Sequence, residues 1–173
     1  MNFTNKERML LEDQKSHEEI CIQKYSNYAS LTNCQELKSI FKQNGQKEQE
    51  HLNTINQLLN GQVPSMNQQG GGSQQQQSQM QQQPQMQQMQ GSSSFKPQSS
   101  STSSSTNYNN SDKDLCTDIL MTEKYVSGAY DTAIFEFKDP QVRNILNHIQ
   151  KEEQQHGESV FKYMESKGMY QPQ

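Results

Sequence analysis

The sequence predicts an all-α protein, two helical hairpins folded together as one four-helix bundle. Three observations predict it. Apolar residues recur at three- and four-residue spacing on both sides of a polar middle segment, and neither side shows the alternating β-branched pattern of a strand. Helix start and stop signals divide each side into two helices. Shifting the sequence by 105 positions lays the second pair of helices on the first without a gap.

The first helix opens with the capping box Thr4-x-x-Glu7 and runs to about Leu31. Thr32 and Asn33 separate it from the second, for which Asn33-x-x-Glu36 offers another box and Gly61 a stop. The third helix is expected from near Ser111 to about Phe137. The fourth starts with Asp139 as N-cap and Pro140 at the first helical position, and ends at Gly168. The domain reading is a first hairpin over 4–61, a linker over 62–112 and a second hairpin over 113–168, the two hairpins sharing one core. The linker is almost entirely Gln, Ser, Gly, Asn and Met, with few aliphatic side chains to offset the entropy of ordering it, and is expected to be disordered. Its Gln- and Met-rich part, 74–90, is read as a solvated spacer that could also promote self-association. The foldable remainder, about 120 residues, is large enough for a single core.

Composition excludes several classes. The net charge is −4, and acidic and basic residues alternate instead of forming a basic patch, so nucleic acid is not an expected partner. No run approaches the roughly 18 apolar residues of a membrane span, and residues 1–15 lack the apolar stretch of a signal peptide. Neither membrane insertion nor ordinary secretion is expected. Cys21, Cys34 and Cys116 are odd in number and far apart, which fits neither a disulfide framework nor a zinc knuckle. They are read as small hydrophobes or oxidisable thiols.

In the repeat, Leu10 falls on Leu115, Asp13 on Asp118, Glu18 on Glu123, Tyr25 on Tyr130, Ile40 on Ile145, Gln49 on Gln154, and the pair Glu48 and His51 on Glu153 and His156. Apolar positions coincide between these identities, as in Leu37 with Val142 and Ile55 with Val160. Each Glu-x-x-His puts a carboxylate and an imidazole on one side of its helix. Phe41, Glu48, His51 and Ile55 form one apolar stripe, and Ile149, Glu153, His156 and Val160 another. On the first helix Leu11, Glu18, Ile22 and Tyr25 share a stripe, and on the third Cys116, Glu123 and Tyr130 do. Four carboxylates and two imidazoles facing one core are costly to desolvate unless paired. Two divalent cations would relieve that cost. One Glu from each of two helices and Glu-x-x-His from each of the other two is the ligand pattern of the two-metal carboxylate proteins of the ferritin-like bundles. The metal ligands expected are Glu18, Glu48, His51, Glu123, Glu153 and His156, with Glu48 and Glu153 bridging and Glu18 and Glu123 terminal. Iron or manganese suits such a donor set, with zinc an alternative. Tyr25 and Tyr130 could hydrogen-bond around the site or donate electrons, and otherwise serve as packing residues. His17 and His148 lack an inward carboxylate partner at matching spacing and are read as surface or satisfied histidines.

The stretches MTEKYVSGAYDTAIFEF, DPQVRNILNHIQKEEQQH and ESKGMYQPQ of the second hairpin resemble the coat F family of spore coat proteins of endospore-forming bacteria; residues 4–61 resemble it less. The resemblance implies a ferritin-like bundle, synthesis in the mother-cell cytoplasm and deposition in or around the spore coat. Expected partners are other spore coat proteins or further copies of the chain, a homodimer among them. Many members of the family look structural, with an incomplete ligand set, whereas this sequence has both glutamates and both Glu-x-x-His pairs. The site is similar to those of rubrerythrins and manganese catalases, although rubredoxin-type cysteines are lacking and electrons, if needed, must come from another protein. Two readings follow. One is a coat protein whose metals mainly stabilise the core. The other is an oxidoreductase acting on peroxide or dioxygen.

Overall fold

The computed structural model describes residues 2–64 and 110–170. These contain four α-helices, α1 (Asn5–Leu31), α2 (Gln35–Leu59), α3 (Asn110–Glu136) and α4 (Pro140–Ser166), and no strand. The expected disordered linker lies outside the described residues except at its two ends. At the second of these, Asn110 to Asp112 already belong to α3.

The shift of 105 positions carries α1 onto α3 end to end, and the first residue of α2 onto the first residue of α4. Only the last turn differs, α4 being two residues longer than α2 (27 against 25). Both hairpins stop at a glycine in the left-handed region, Gly61 (φ 76°) and Gly168 (φ 71°). Backbone bonds from Gln62 N–H to the Gln57 carbonyl and from Met169 N–H to the Met164 carbonyl close those ends.

Of the three start signals read, those of α1 and α4 act as expected and that of α2 fails. Thr4 and Glu7 form the full reciprocal box, and the Asp139 carboxylate accepts from the Gln141 and Val142 N–H groups ahead of Pro140. At α2 the expected Asn33 box does not form, because the N-cap is Cys34, which makes no side-chain cap bond. The Thr32 hydroxyl instead accepts from the Cys34 N–H at 3.1 Å, which shortens the turn and moves the helix start past Asn33.

Packing pairs α1 with α2 and with α3, and α4 with α3 and with α2. Contacts set the directions. Lys6 meets Glu136 and Lys24 meets Asp118, so α1 and α3 are antiparallel. Glu36 meets Lys167 and Asn44 meets Ser159, so α2 and α4 are antiparallel as well. The order is therefore up, down, down, up. Such a path needs a crossover along the bundle, about 40 Å for helices of this length. Glu7 ties the start of α1 to the turn between α3 and α4, accepting from the Lys138 N–H at 3.0 Å, while Arg143 donates to the Phe137 and Lys138 carbonyls.

The core has two apolar clusters. One contains Leu11, Ile55, Val126, Ile145, Leu146 and Ile149; the other contains Phe41, Leu37, Cys116, Ile119, Val160 and Met164. Between them the buried faces carry polar residues. The α1 face differs from the expected stripe in one position: Cys21 is buried and Ile22 only half-buried. The helical period explains this, since Glu18, Cys21 and Tyr25 follow the three-then-four spacing and Ile22 falls to its side.

Candidate metal centre

Six side chains meet in the middle of the bundle, at its narrow polar layer. Glu18 comes from α1, Glu48 and His51 from α2, Glu123 from α3, and Glu153 and His156 from α4. None is more than 4 % exposed. They fall into two overlapping groups whose ligand atoms lie within 4.8 Å of one another: Glu18, Glu48, His51 and Glu153, and Glu48, Glu123, Glu153 and His156. Glu48 and Glu153 belong to both groups. Glu18 with His51, and Glu123 with His156, belong to one each.

The imidazoles cross between hairpins. His51 Nδ1 lies 3.0 Å from Glu153 Oε1, 3.4 Å from Glu48 Oε2 and 3.6 Å from Glu18 Oε2. His156 Nδ1 lies 2.9 Å from Glu48 Oε1, 3.6 Å from Glu153 Oε2 and 3.9 Å from Glu123 Oε2. The two rings stack with centroids 5.6 Å apart. The tyrosines cross too. Tyr25 of α1 donates to Glu123 of α3, and Tyr130 of α3 donates to Glu18 of α1. Each tyrosine thus serves the glutamate of the other hairpin, not the one two turns away on its own helix.

Two residues that the sequence reading passed over complete the surroundings. Glu152 Oε2 lies 2.9 Å from His51 Nε2, so an N–H there donates to the carboxylate and leaves Nδ1 toward the cluster. Asn44 donates to the Tyr25 hydroxyl and to Ser159, both at 3.1 Å. The repeat carried no signal for either, because Glu152 is equivalent to Lys47 and Asn44 to Ile149. His156 Nε2, whose repeat-related partner would be Lys47, has no hydrogen-bond partner among the described residues. Lys47 turns to Glu50 and Glu152. His17 packs edge-on against Tyr125, and half-exposed His148 lies 3.5 Å from Glu152; neither reaches the cluster. The three cysteines are free.

Electrostatics divide the cluster evenly. Burial, with the neighbouring carboxylates, pushes Glu18 and Glu123 well above the usual carboxylate range. Burial acts on Glu48 and Glu153 in the same sense, but the two adjacent histidines outweigh it and hold both below that range. Burial opposes charge on the histidines, yet their carboxylate neighbours hold His51 well above the usual imidazole value and His156 at about 9. The six groups thus divide into two carboxyls held above the usual range, two held below it, and two imidazoles held above theirs.

Buried acceptor oxygens are left unsatisfied. Glu18 Oε2, Glu123 Oε2 and both Glu153 oxygens are buried without an aligned hydrogen bond among the described residues. Buried oxygens of this kind are rare unless an ion or water supplies the missing partner. Four carboxylates and two imidazoles gathered in this way could hold metal ions.

Residues 111–173 match the family model of the Coat F domain. The second hairpin is similar to Coat F domains. The match covers α3 and α4 and so includes Glu123, Glu153 and His156, while Glu18, Glu48 and His51 lie in the hairpin outside it. No curated protein and no solved structure matches the chain significantly. The Coat F family is the one that the stretches of the second hairpin resemble.

Proposed function

We propose that the protein is a spore coat protein whose bundle, ferritin-like in its path and its ligand pattern, holds two divalent iron or manganese ions. Glu48 and Glu153 would be shared by the two ions, Glu18 and His51 would help to hold one, and Glu123 and His156 the other. The observation that carries this reading is the pair of overlapping buried groups that share Glu48 and Glu153. The Coat F match supports the coat setting. Bound iron or manganese would supply redox chemistry toward peroxide or dioxygen.

The residues around the cluster do the positioning. Tyr25 and Tyr130 hold Glu123 and Glu18 from across the bundle, and Glu152 orients His51. In the coat, neutralising the carboxylates would lock the two hairpins together, the structural role that the reading assigns first. A second reading, an oxidoreductase whose main task is to remove peroxide, is favoured by a cavity between α3 and α4 that is lined in part by Glu123 and Glu153.

Elemental analysis of protein purified without chelator tests the site. Wild type should carry about two iron or manganese ions per chain, and a variant with Glu48, His51, Glu153 and His156 replaced by Ala should carry none. Metal-free wild type that resists loading with either ion would end the metal reading and leave a bundle used as coat material. Metal-loaded protein that leaves peroxide untouched would end the second reading only.

A further inference from the structure

The hairpins repeat, but their grooves do not. Between α3 and α4 lies a cavity of about 570 Å³ whose walls include Leu120, Ser127, Gly157 and Phe161 and whose inner end is formed by Glu123 and Glu153. Its outer edge carries exposed Gln154 and Glu158. The groove between α1 and α2 holds a cavity of about 280 Å³ that touches Tyr25 and none of the six cluster residues.

Two repeat-related exchanges account for the difference. Gly157 of α4 stands where α2 has Leu52, and Ser127 of α3 stands where α1 has Ile22. A Cβ at Gly157 would lie 3.7 Å from a Leu120 methyl and 3.8 Å from Glu123 Cβ, so the missing side chain is space directly beside a cluster glutamate. At the inner end, Glu123 Oε2 and both Glu153 oxygens are buried without an aligned hydrogen bond. The Glu123 side of the cluster is therefore separated from the groove by one carboxylate.

We infer that the groove between α3 and α4 is the entry for peroxide-sized ligands, that it serves the Glu123–His156 half of the site, and that Gly157 and Ser127 keep it open. This rests on the two-metal reading. The test uses the full chain loaded with cobalt(II), whose visible absorption reports ligand binding, and azide as the probe. Cobalt content is measured first in wild type and in two variants with one wall each filled as in the other hairpin, Gly157→Leu and Ser127→Ile. Helical content and thermal midpoint identify a variant that fails to fold, and the other wall then decides. With cobalt content equal, the azide association rate should fall by about tenfold or more in the folded variants. An unchanged rate at equal cobalt content, or wild type that binds cobalt but not azide, overturns the entry while the metal site stands. Wild type that takes up no cobalt, iron or manganese overturns the two-metal reading and this inference with it.

Discussion

Tyr25 on the first helix donates its hydroxyl hydrogen to Glu123 on the third, and the same relation runs back from Tyr130 to Glu18. The two bonds stitch α1 to α3 across the cluster. Both tyrosines are fully buried, so neither bond has water as a substitute partner. In metal-free protein Tyr25→Phe and Tyr130→Phe should each lower stability by about 1–3 kcal/mol, the usual cost of leaving a buried polar group unpaired. Tyr25→Phe should cost more, since Asn44 also loses an acceptor. Urea unfolding of the two variants checks this; stabilities equal to wild type would mean that the tyrosines only fill space.

Glu152 touches His51 from outside the cluster and orients the ring. Replacing it with Ala should weaken metal binding by about 10–100-fold, as for other carboxylates that hold a metal-bound imidazole, without abolishing it. Competition with a calibrated chelator measures the change. His148→Ala is the matched control, because its ring reaches Glu152 but not the cluster. Equal losses in both variants would show that the contact of Glu152 with His51 is not what sets the affinity.

Metal uptake should release protons. Glu18 and Glu123 are held above the usual carboxylate range, and His51 and His156 above the usual imidazole value, so each holds its proton more tightly than the free side chain does. Binding divalent ions should displace protons from these groups, His156 among them at pH 7. Calorimetry in buffers of different ionisation heat counts them, and a count near zero would contradict the raised proton affinity of His51 and His156. The same shifts give the sign for stability. The histidine contributions are fully present below the unfolded imidazole value and fade as pH rises through the folded one, about 9 for His156. Glu48 and Glu153, held low, contribute above the usual carboxylate value and lose that contribution as pH falls through their folded values. Metal-free protein should therefore weaken in strong acid and again toward pH 9, and the alkaline weakening should vanish on loading.

Alkylation should single out Cys34. Burial alone would push its thiol up, but a hydrogen bond with Tyr163, nearby backbone N–H groups and Lys167 bring it below the usual thiol value, and it is only half-buried. Cys21 and Cys116 are buried and raised, Cys116 to about 12. Mass spectrometry after brief iodoacetamide treatment of native protein should find the label on Cys34. Label first on Cys21 would mean that the bundle opens at its centre.

The helices and their caps were legible because the signals are local. Thr4 with Glu7 and Asp139 with Pro140 act within one turn of the backbone and need no partner elsewhere. Asn33 misled because Thr32, one residue earlier, competed for the same turn, and the balance between two local bonds is not written in the spacing. The convergence of Glu18, Glu48, His51, Glu123, Glu153 and His156 could be anticipated because a repeat with inward carboxylates leaves few low-energy places to put them.

By itself the sequence determined what each helix turns inward, since a period of 3.6 residues fixes the buried face wherever that helix packs. Only the tertiary structure decided which helix faces which. Tyr25 finds Glu123 and His51 finds Glu152 because α1 runs against α3 and α2 against α4, and antiparallel neighbours bring together residues far apart in the chain. The unequal grooves belong to the same class. Gly157 can be read in the sequence, but the space it leaves exists only once Leu120 and Glu123 of α3 are packed beside it.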